Sequence, residues 1–434
     1  MIKLQTEQAG ADIAGALEGL AAYTEHLQQV RASKVYEAAE STLNLPDDDE
    51  QLAVVQELVR QKVTPALKYH IVVGIGGSNL GTKAVYDALL GYRDLLEVER
   101  FPRLLFADTV DPEWLVSAQK LLKTLDSPDE VLVTVISKSG GTTETLANFE
   151  VIMDTLREKF GAAEERAVAI ADDGSKLIQA AEAKGIATLA MPLTVGGRYS
   201  VLSAVGLYPL ATVGVDVTAL RKGASAMLDQ CLDGGDNVAA RSAAILSVQR
   251  DNGRTINDNF FFHPELESIG KWYRQLMGES VGKEKSLTGE VVHTGITPTV
   301  SIGSNDLHSM LQIYLGGPKD KLTTFVSGKS SANLNVPTER VFPELVPMVT
   351  GNSAGDIMAA ILEVVKITYQ KTGLPYMEVV LDALDEESIG AYLQFKMLEM
   401  MYLAQLLNVN SFDQPNVEAY KIDTKQLLEQ ILGR

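Results

Sequence analysis

The sequence is poor in the residues that staple a chain or ligate metals. Across 434 residues there is one cysteine, Cys231, which excludes an intramolecular disulfide and any thiolate metal cluster. Its neighbours read as a helix, so it is expected to pack as a small apolar residue. The five histidines, His26, His70, His263, His293 and His308, show neither HxxxH nor HExxH spacing, which argues against a His-based metal site. No apolar run is long enough to cross a bilayer, and residues 1–7 lack the basic and apolar regions of a secretory leader. The expectation is a reducing, cytoplasmic setting. Positive charge is in the minority: 38 Lys and Arg against 57 Asp and Glu leave a net charge of -19. No broad basic field exists to collect the phosphates of a nucleic acid or an anionic membrane, so neither is expected as a partner. A small phosphorylated ligand is compatible with this charge, because a local pocket of donors outweighs distant, screened charges. Tandem repeats and low-complexity linkers are missing as well.

What is there reads as an ordinary globular α/β chain, 46% apolar and 22% charged, long enough for two or three domains. Residues 1 to about 65 look helical and polar. Strand-like runs then alternate with helical ones. Tyr69–Ile75, Arg103–Ala107, Glu130–Ile136, Ala167–Ile170 and Ala187–Ala190 are separated by helical patterns near 82–90, 112–125, 142–159 and 176–184. The pattern restarts, less regularly, from about residue 216, with strands at 255–261, 298–301, 323–326 and 377–381 and helices at 220–232, 239–250 and 264–277. Residues 386–407 and 415–432 are strongly helical. The segments predicted are therefore 1–65, 66–215, 216–385 and 386–434. Alternation of this kind predicts parallel sheets covered on both faces, with ligands at the carboxyl ends of the strands.

Two loops stand at such ends. Gly74-Ile75-Gly76-Gly77-Ser78-Asn79-Leu80-Gly81 nearly imitates a dinucleotide fingerprint, a P-loop and a nucleophile elbow, and fits none of them. It remains a glycine turn that presents Ser78 before a helix. Ser137-Lys138-Ser139-Gly140-Gly141-Thr142-Thr143-Glu144-Thr145 repeats the logic. Free N–H groups and the positive end of a helix, with hydroxyls added, make a cradle for an anion such as a phosphate monoester. Simple helix capping needs one hydroxyl, whereas this loop has five. Farther on, Gln414, Glu418 and Lys421 are spaced to share a helix face, with Asp413 and Pro415 marking that helix's start. Arg198 follows two glycines, and Glu279 and Lys283 are spaced as a helix ion pair.

Gly-Ile-Gly-Gly-Ser-x-Leu-Gly followed by Ser-Lys-Ser-Gly-x-Thr-x-Glu resembles the sugar isomerase domain of the phosphoglucose isomerase family. Gly196–Ser200 resembles that family's arginine signature, Gly278–Lys283 its base-bearing segment, Asn305–Ser309 its histidine segment and Asn410–Lys421 its C-terminal signature. The six matches run in family order from 71 to 421, and the length resembles the shorter bacterial form. The resemblance implies two sugar isomerase domains, at 66–215 and 216–385, between helical ends. It implies an aldose–ketose isomerase acting on glucose 6-phosphate and fructose 6-phosphate without metal or organic cofactor. A phosphoglucose/phosphomannose isomerase of wider specificity and a non-catalytic sugar-phosphate sensor are the alternatives. Glu279 is implied as the base, Arg198 as the enediolate stabiliser, His308 and Lys421 for ring opening, and Glu144 to orient the histidine. Ser78, Ser137, Ser139 and Thr142 would hold phosphate, with Lys138 and Thr145 nearby, and Gly77, Gly197 and Gln414 would meet the sugar. A homodimer is implied, with His308 serving the partner chain. Gly141 stands where the family usually has threonine, Ser139 often appears as threonine, and 284–298 resembles the family only loosely.

Overall fold

The computed structural model describes residues 2–332 and 334–433. The chain divides into two compact units, one of residues 24–221 with 410–434 and one of 1–23 with 222–409. We call them the Ser137 unit and the Glu279 unit.

The Ser137 unit is organised by an all-parallel five-stranded sheet in the order Arg103–Ala107, Tyr69–Val73, Val131–Ile136, Ala167–Asp172, Ala187–Met191. The run Val-Leu-Val-Thr-Val-Ile is buried at every position of its strand, as a strand covered on both faces requires. Helices Pro112–Thr124, Thr143–Phe160 and Lys176–Ala183 cover one face, and helix Ala204–Thr212 packs on the other, where its Thr212 meets His70. Ile71, Val133, Val135, Ile152, Met153 and Leu156 form part of one core. Strand Tyr69–Val73 lies between the next two strands of the sequence. The order therefore reverses beside it, which opens a crevice at the carboxyl ends.

The Glu279 unit repeats the plan with the order Ile2–Gln5, Tyr376–Leu381, Lys321–Gly328, Ile256–Phe261, Thr297–Ile302. The outermost pair is antiparallel, with Ile2 opposite Leu381, and the rest are parallel. Its core is aromatic: Phe260, Phe262, Tyr314, Phe325, Tyr369 and Tyr376 cluster. Aromatic rings stack edge to face there, Phe325 with Tyr369 and Tyr376 at centroid separations of 5.2 Å.

The expected strands all form, with ends shifted by a residue or two. The helical reading of the N-terminus fails at Ile2–Gln5, a strand whose partner is more than 370 residues away. Other elements were not anticipated either, two helices and a hairpin among them. Helix Ala204–Thr212 is buried nearly throughout and carries Pro209, so it has no polar face to reveal its period. Helix Ala354–Lys371 does bury Leu362, Val365 and Tyr369 at helical spacing, and Ser353 caps it. The hairpin of Lys283–Lys285 with Val291–Thr294 falls in the segment least similar to the family pattern. Among the described residues no helix is long and apolar enough to cross a membrane.

Candidate active site

The two hydroxyl loops follow adjacent strands. Val73 and Val135 are in register, so both chains leave the sheet side by side at the switch point. Gly74 is packed close to Ile136, where a Cβ would lie 3.1 Å from the Ile136 carbonyl oxygen. Gly77 rests against the turn that carries Arg198. A Cβ there would overlap the Gly197 backbone and come 2.7 Å from Arg198 N. Only glycine at 77 permits this backbone approach. The sheet thus gathers Gly77, Ser78, Ser137–Thr145, Gly197 and Arg198 in one neighbourhood.

Helix Thr143–Phe160 begins with Thr142 at its N-cap position, yet no side chain caps it. The Thr142 hydroxyl instead lies 2.9 Å from Ser137 Oγ, which in turn accepts weakly from Thr142 N at 3.4 Å. The capping account therefore fails for Thr142, and the 18-residue helix begins without a side-chain cap on its first N–H groups. Ser137 and Thr145 are each 1% exposed. Thr145 Oγ1 is buried without a hydrogen-bond partner among the described residues, as are Oδ1 of Asn79 and Oδ1 of Asn148. Asn148 donates to the carbonyls of Ala107 and Thr109 at 3.4 and 3.1 Å, and Asn79 Nδ2 to Asp108 at 3.3 Å. Sequence reading missed both asparagines, although Asn148 stands one helical turn after Thr145.

Lys138 is not a loose surface lysine. Its Nζ donates to the carbonyls of Leu193 and Val195, each at 2.9 Å. Burial holds its ammonium below the ordinary lysine range, with Asp172 opposing and Arg198 adding to the effect. An arriving dianion would favour the charged form. Ser78 and Glu144 are half-buried and Ser139 is exposed.

Arg198 is 2% exposed and fixed by acceptors. Nη1 donates to Gln414 Oε1 at 2.7 Å, and Nη2 donates to the carbonyl of Ser411 and, at 3.2 Å, to that of Asp413. Tyr199 packs on Phe412 with centroids 5.5 Å apart, and its hydroxyl lies 2.6 Å from Ser411 Oγ. The 410–414 turn is thereby fastened to the arginine turn. Gln414, not Asp413, is the N-cap residue of helix Pro415–Leu432, and Pro415 takes the first position. The anticipated face is present: Gln414 Nε2 donates to Glu418 at 3.3 Å and Lys421 pairs with the same carboxylate at 2.9 Å. The two hydrogen bonds, that from Lys421 first, hold the Glu418 carboxyl below its ordinary range.

Glu279 and His308 belong to the Glu279 unit. Glu279 is half-buried in the last turn of helix Glu267–Val281, where Gln275, one turn earlier, donates to Oε1 at 3.0 Å. Glu279 and Lys283 do not lie on one helix, because the helix ends at Val281 and Lys283 begins a strand. His308 is exposed on the short helix Asn305–Ser309, which follows strand Thr297–Ile302. A cavity of about 330 Å³ is lined by Glu267, Lys271, Arg274, Ile302, Asn305 and Asp306. It fixes the first half of the Glu279 helix beside the histidine segment. Glu279 lies five residues beyond Arg274, which also lines the cavity, about 7.5 Å farther along the axis.

A doubly covered parallel sheet with an uncapped helix, a hydroxyl cluster and a clamped arginine at its switch point places the chain among the α/β proteins. Residues 60–433 match the model of phosphoglucose isomerase, and the chain belongs to that family of isomerase enzymes. It is 33% identical over 438 residues to the glucose-6-phosphate isomerase of Carboxydothermus hydrogenoformans, covering 98% of this chain and 92% of that one. The glucose-6-phosphate isomerase of Methanocaldococcus jannaschii is 33% identical over 83% of this chain and 84% of its own. A hypothetical protein from Thermus thermophilus has the same fold, with a TM-score of 0.86 at 29% identity over 99% of this chain and 100% of that one. A glucose-6-phosphate isomerase from Chlamydia trachomatis, 20% identical, shares the fold with a TM-score of 0.82 over 99% of this chain and 89% of its own.

Proposed function

We propose that this enzyme interconverts glucose 6-phosphate and fructose 6-phosphate through an enediolate. The observation that carries the reading is the cradle itself. An uncapped helix end and a buried hydroxyl without a partner among the described residues, Thr145, stand beside a guanidinium locked by three acceptors. The sugar's phosphate occupies the hydroxyl loops of Ser78, Ser137, Ser139 and Thr142. Its binding energy fixes the carbon chain for reaction.

His308 and Lys421 open the ring by moving protons at the ring oxygen and the anomeric hydroxyl, with Glu144 orienting the imidazole. Glu279 removes the proton from C2, and the electron pair shifts to give an enediolate. Arg198, already oriented, meets the oxygen on which charge develops, so little reorganisation is needed in the transition state. Glu279 then returns the proton to C1. The hydroxyl proton passes from O2 to O1 as C1 is reprotonated, so no electron leaves the substrate and the isomerisation balances with one carboxylate. Gln275 holds Oε1 of that carboxylate. We read the active assembly as a homodimer in which His308 serves the partner chain. The exposure of His308 on its short helix, open to a neighbouring chain, supports this.

A coupled assay that detects glucose 6-phosphate formed from fructose 6-phosphate, run with a chelator present, tests the activity. Glu279→Gln is expected to lower kcat by at least about a thousandfold while sugar-phosphate binding persists. Wild-type turnover in that variant would remove Glu279 as the base. Comparable turnover of mannose 6-phosphate would widen the substrate class, and binding without turnover in the wild type would make the protein a sensor.

A further inference from the structure

Asp306 stands two residues before His308 and is the only acid on that short helix. Its carboxylate reaches in two directions. Oδ2 accepts from the backbone N–H of Ile302 at 2.7 Å, and Oδ1 accepts from Ser309 Oγ at 2.6 Å. Strand Thr297–Ile302 is an edge strand, paired among the described residues only with Ile256–Phe261. Backbone N–H groups at 297 and 303 donate to that neighbour, at Thr255 and Phe261. Successive residues of a strand alternate, so the N–H of Ile302 points to the open edge, where only a side chain or water can meet it. Asp306 meets it. One carboxylate thereby ties the last residue of the strand to the residue just after His308. Leu307, between Asp306 and His308, packs against the aromatic core of the unit. The imidazole therefore projects from a single turn held on one side by apolar packing and on the other by two charge-assisted hydrogen bonds. A five-residue helix has no stability of its own to do this.

We propose that Asp306 is a positioning residue that fixes His308 for its part in the reaction. The inference rests on the reading of His308 given above. The alternative, a dipole-complementing acid at a helix start, needs neither of the two hydrogen bonds.

The test is a double-mutant cycle on the full-length protein, with kcat and KM for fructose 6-phosphate and a thermal melt for every variant. Asp306→Ala is expected to lower kcat by about ten- to a hundredfold, the effect of a catalytic group displaced by an ångström or less, with KM changed by less than about threefold. In the His308→Ala background the same substitution should lower kcat no further, because there is no imidazole left to place. Asp306→Asn keeps an acceptor for Ile302 N and can donate to Ser309 Oγ, so it should recover most of the lost kcat. Wild-type kcat in Asp306→Ala removes the role of Asp306. So do losses that multiply in the double variant, or losses that follow the melting temperature across all variants. Any of these leaves the histidine's own role intact. Wild-type turnover in His308→Ala removes that role and this inference together.

Discussion

Thr145 buries a hydroxyl that bonds nothing among the described residues. An unsatisfied buried polar group costs about 1–3 kcal/mol, so its retention at the mouth of a helix points to a ligand that completes it. Thr145→Val should therefore leave the unliganded protein as stable as the wild type, or raise its melting temperature. It should raise KM for the sugar phosphates about tenfold, the worth of a hydrogen bond to a charged group, with kcat nearly unchanged. A melting curve and a saturation curve decide it, and an unchanged KM would make the hydroxyl a packing feature. Much at this scale was legible. The hydroxyl types, their clustering after a buried strand, and the shared face of Gln414, Glu418 and Lys421 are local properties of the chain. Lys138 was not legible, because the carbonyls that hold it belong to Leu193 and Val195, more than fifty residues away. Nor was Asp306, whose partner at Ile302 acquires its need only when the strand becomes an edge.

At the scale of elements, two contacts set how the cradle is held. The first is the approach of Gly77 to Gly197. Gly77→Ala would force apart two backbone segments, not two flexible side chains, so the arginine turn must move. We expect kcat/KM to fall by at least about a hundredfold, with a destabilisation of about 1–3 kcal/mol read from urea midpoints. A fully active, fully stable variant would mean the turns separate freely. The second contact is His70, wholly buried on strand Tyr69–Val73. Its ring nitrogens lie 2.7 Å from Thr134 Oγ1 on the neighbouring strand and 2.6 Å from Thr212 Oγ1 in helix Ala204–Thr212. Burial first, and then the nearby Arg166, push its pKa from 6.5 down to about 3. The unfolded chain thus binds a proton below pH 6.5 that the folded chain refuses until about pH 3. The stability it contributes is full above pH 6.5 and is lost as the pH falls through this window, by about 1.4 kcal/mol per unit at most. Denaturation at pH 7 and at pH 4.5 should show His70→Gln losing less stability on acidification than the wild type. Equal losses would mean His70 does not govern the acid limb. The polar letters of this contact were visible in the sequence. What was hidden is that helix Ala204–Thr212 exists at all, since its uniform burial erases the helical period.

At the scale of the molecule, the repeated α/β plan was legible because it is written in alternating periods, each local to 30 or so residues. The order of strands was not, since a parallel sheet is paired through crossovers and its register appears nowhere in the periodicity. Strand Ile2–Gln5 is the extreme case, four residues whose identity depends wholly on Tyr376–Leu381. The same limit applies to the assembly, and there geometry within one chain supplies the argument. Helix Glu267–Val281 starts beside the histidine segment and carries Glu279 in its last turn, while His308 is exposed on a short helix of its own. If each site of a symmetric dimer takes Glu279 from one chain and His308 from the other, the two defects complement. Mixing Glu279→Gln chains with His308→Ala chains, each of strongly reduced activity, then unfolding and refolding them together, should make half of the dimers mixed. One of the two sites in each mixed dimer would have both residues intact, so about a quarter of wild-type activity should return. Sedimentation of the wild type should give twice the chain mass of 46.9 kDa. If the refolded mixture stays as inactive as its components while sedimenting as dimers, both residues act from one chain.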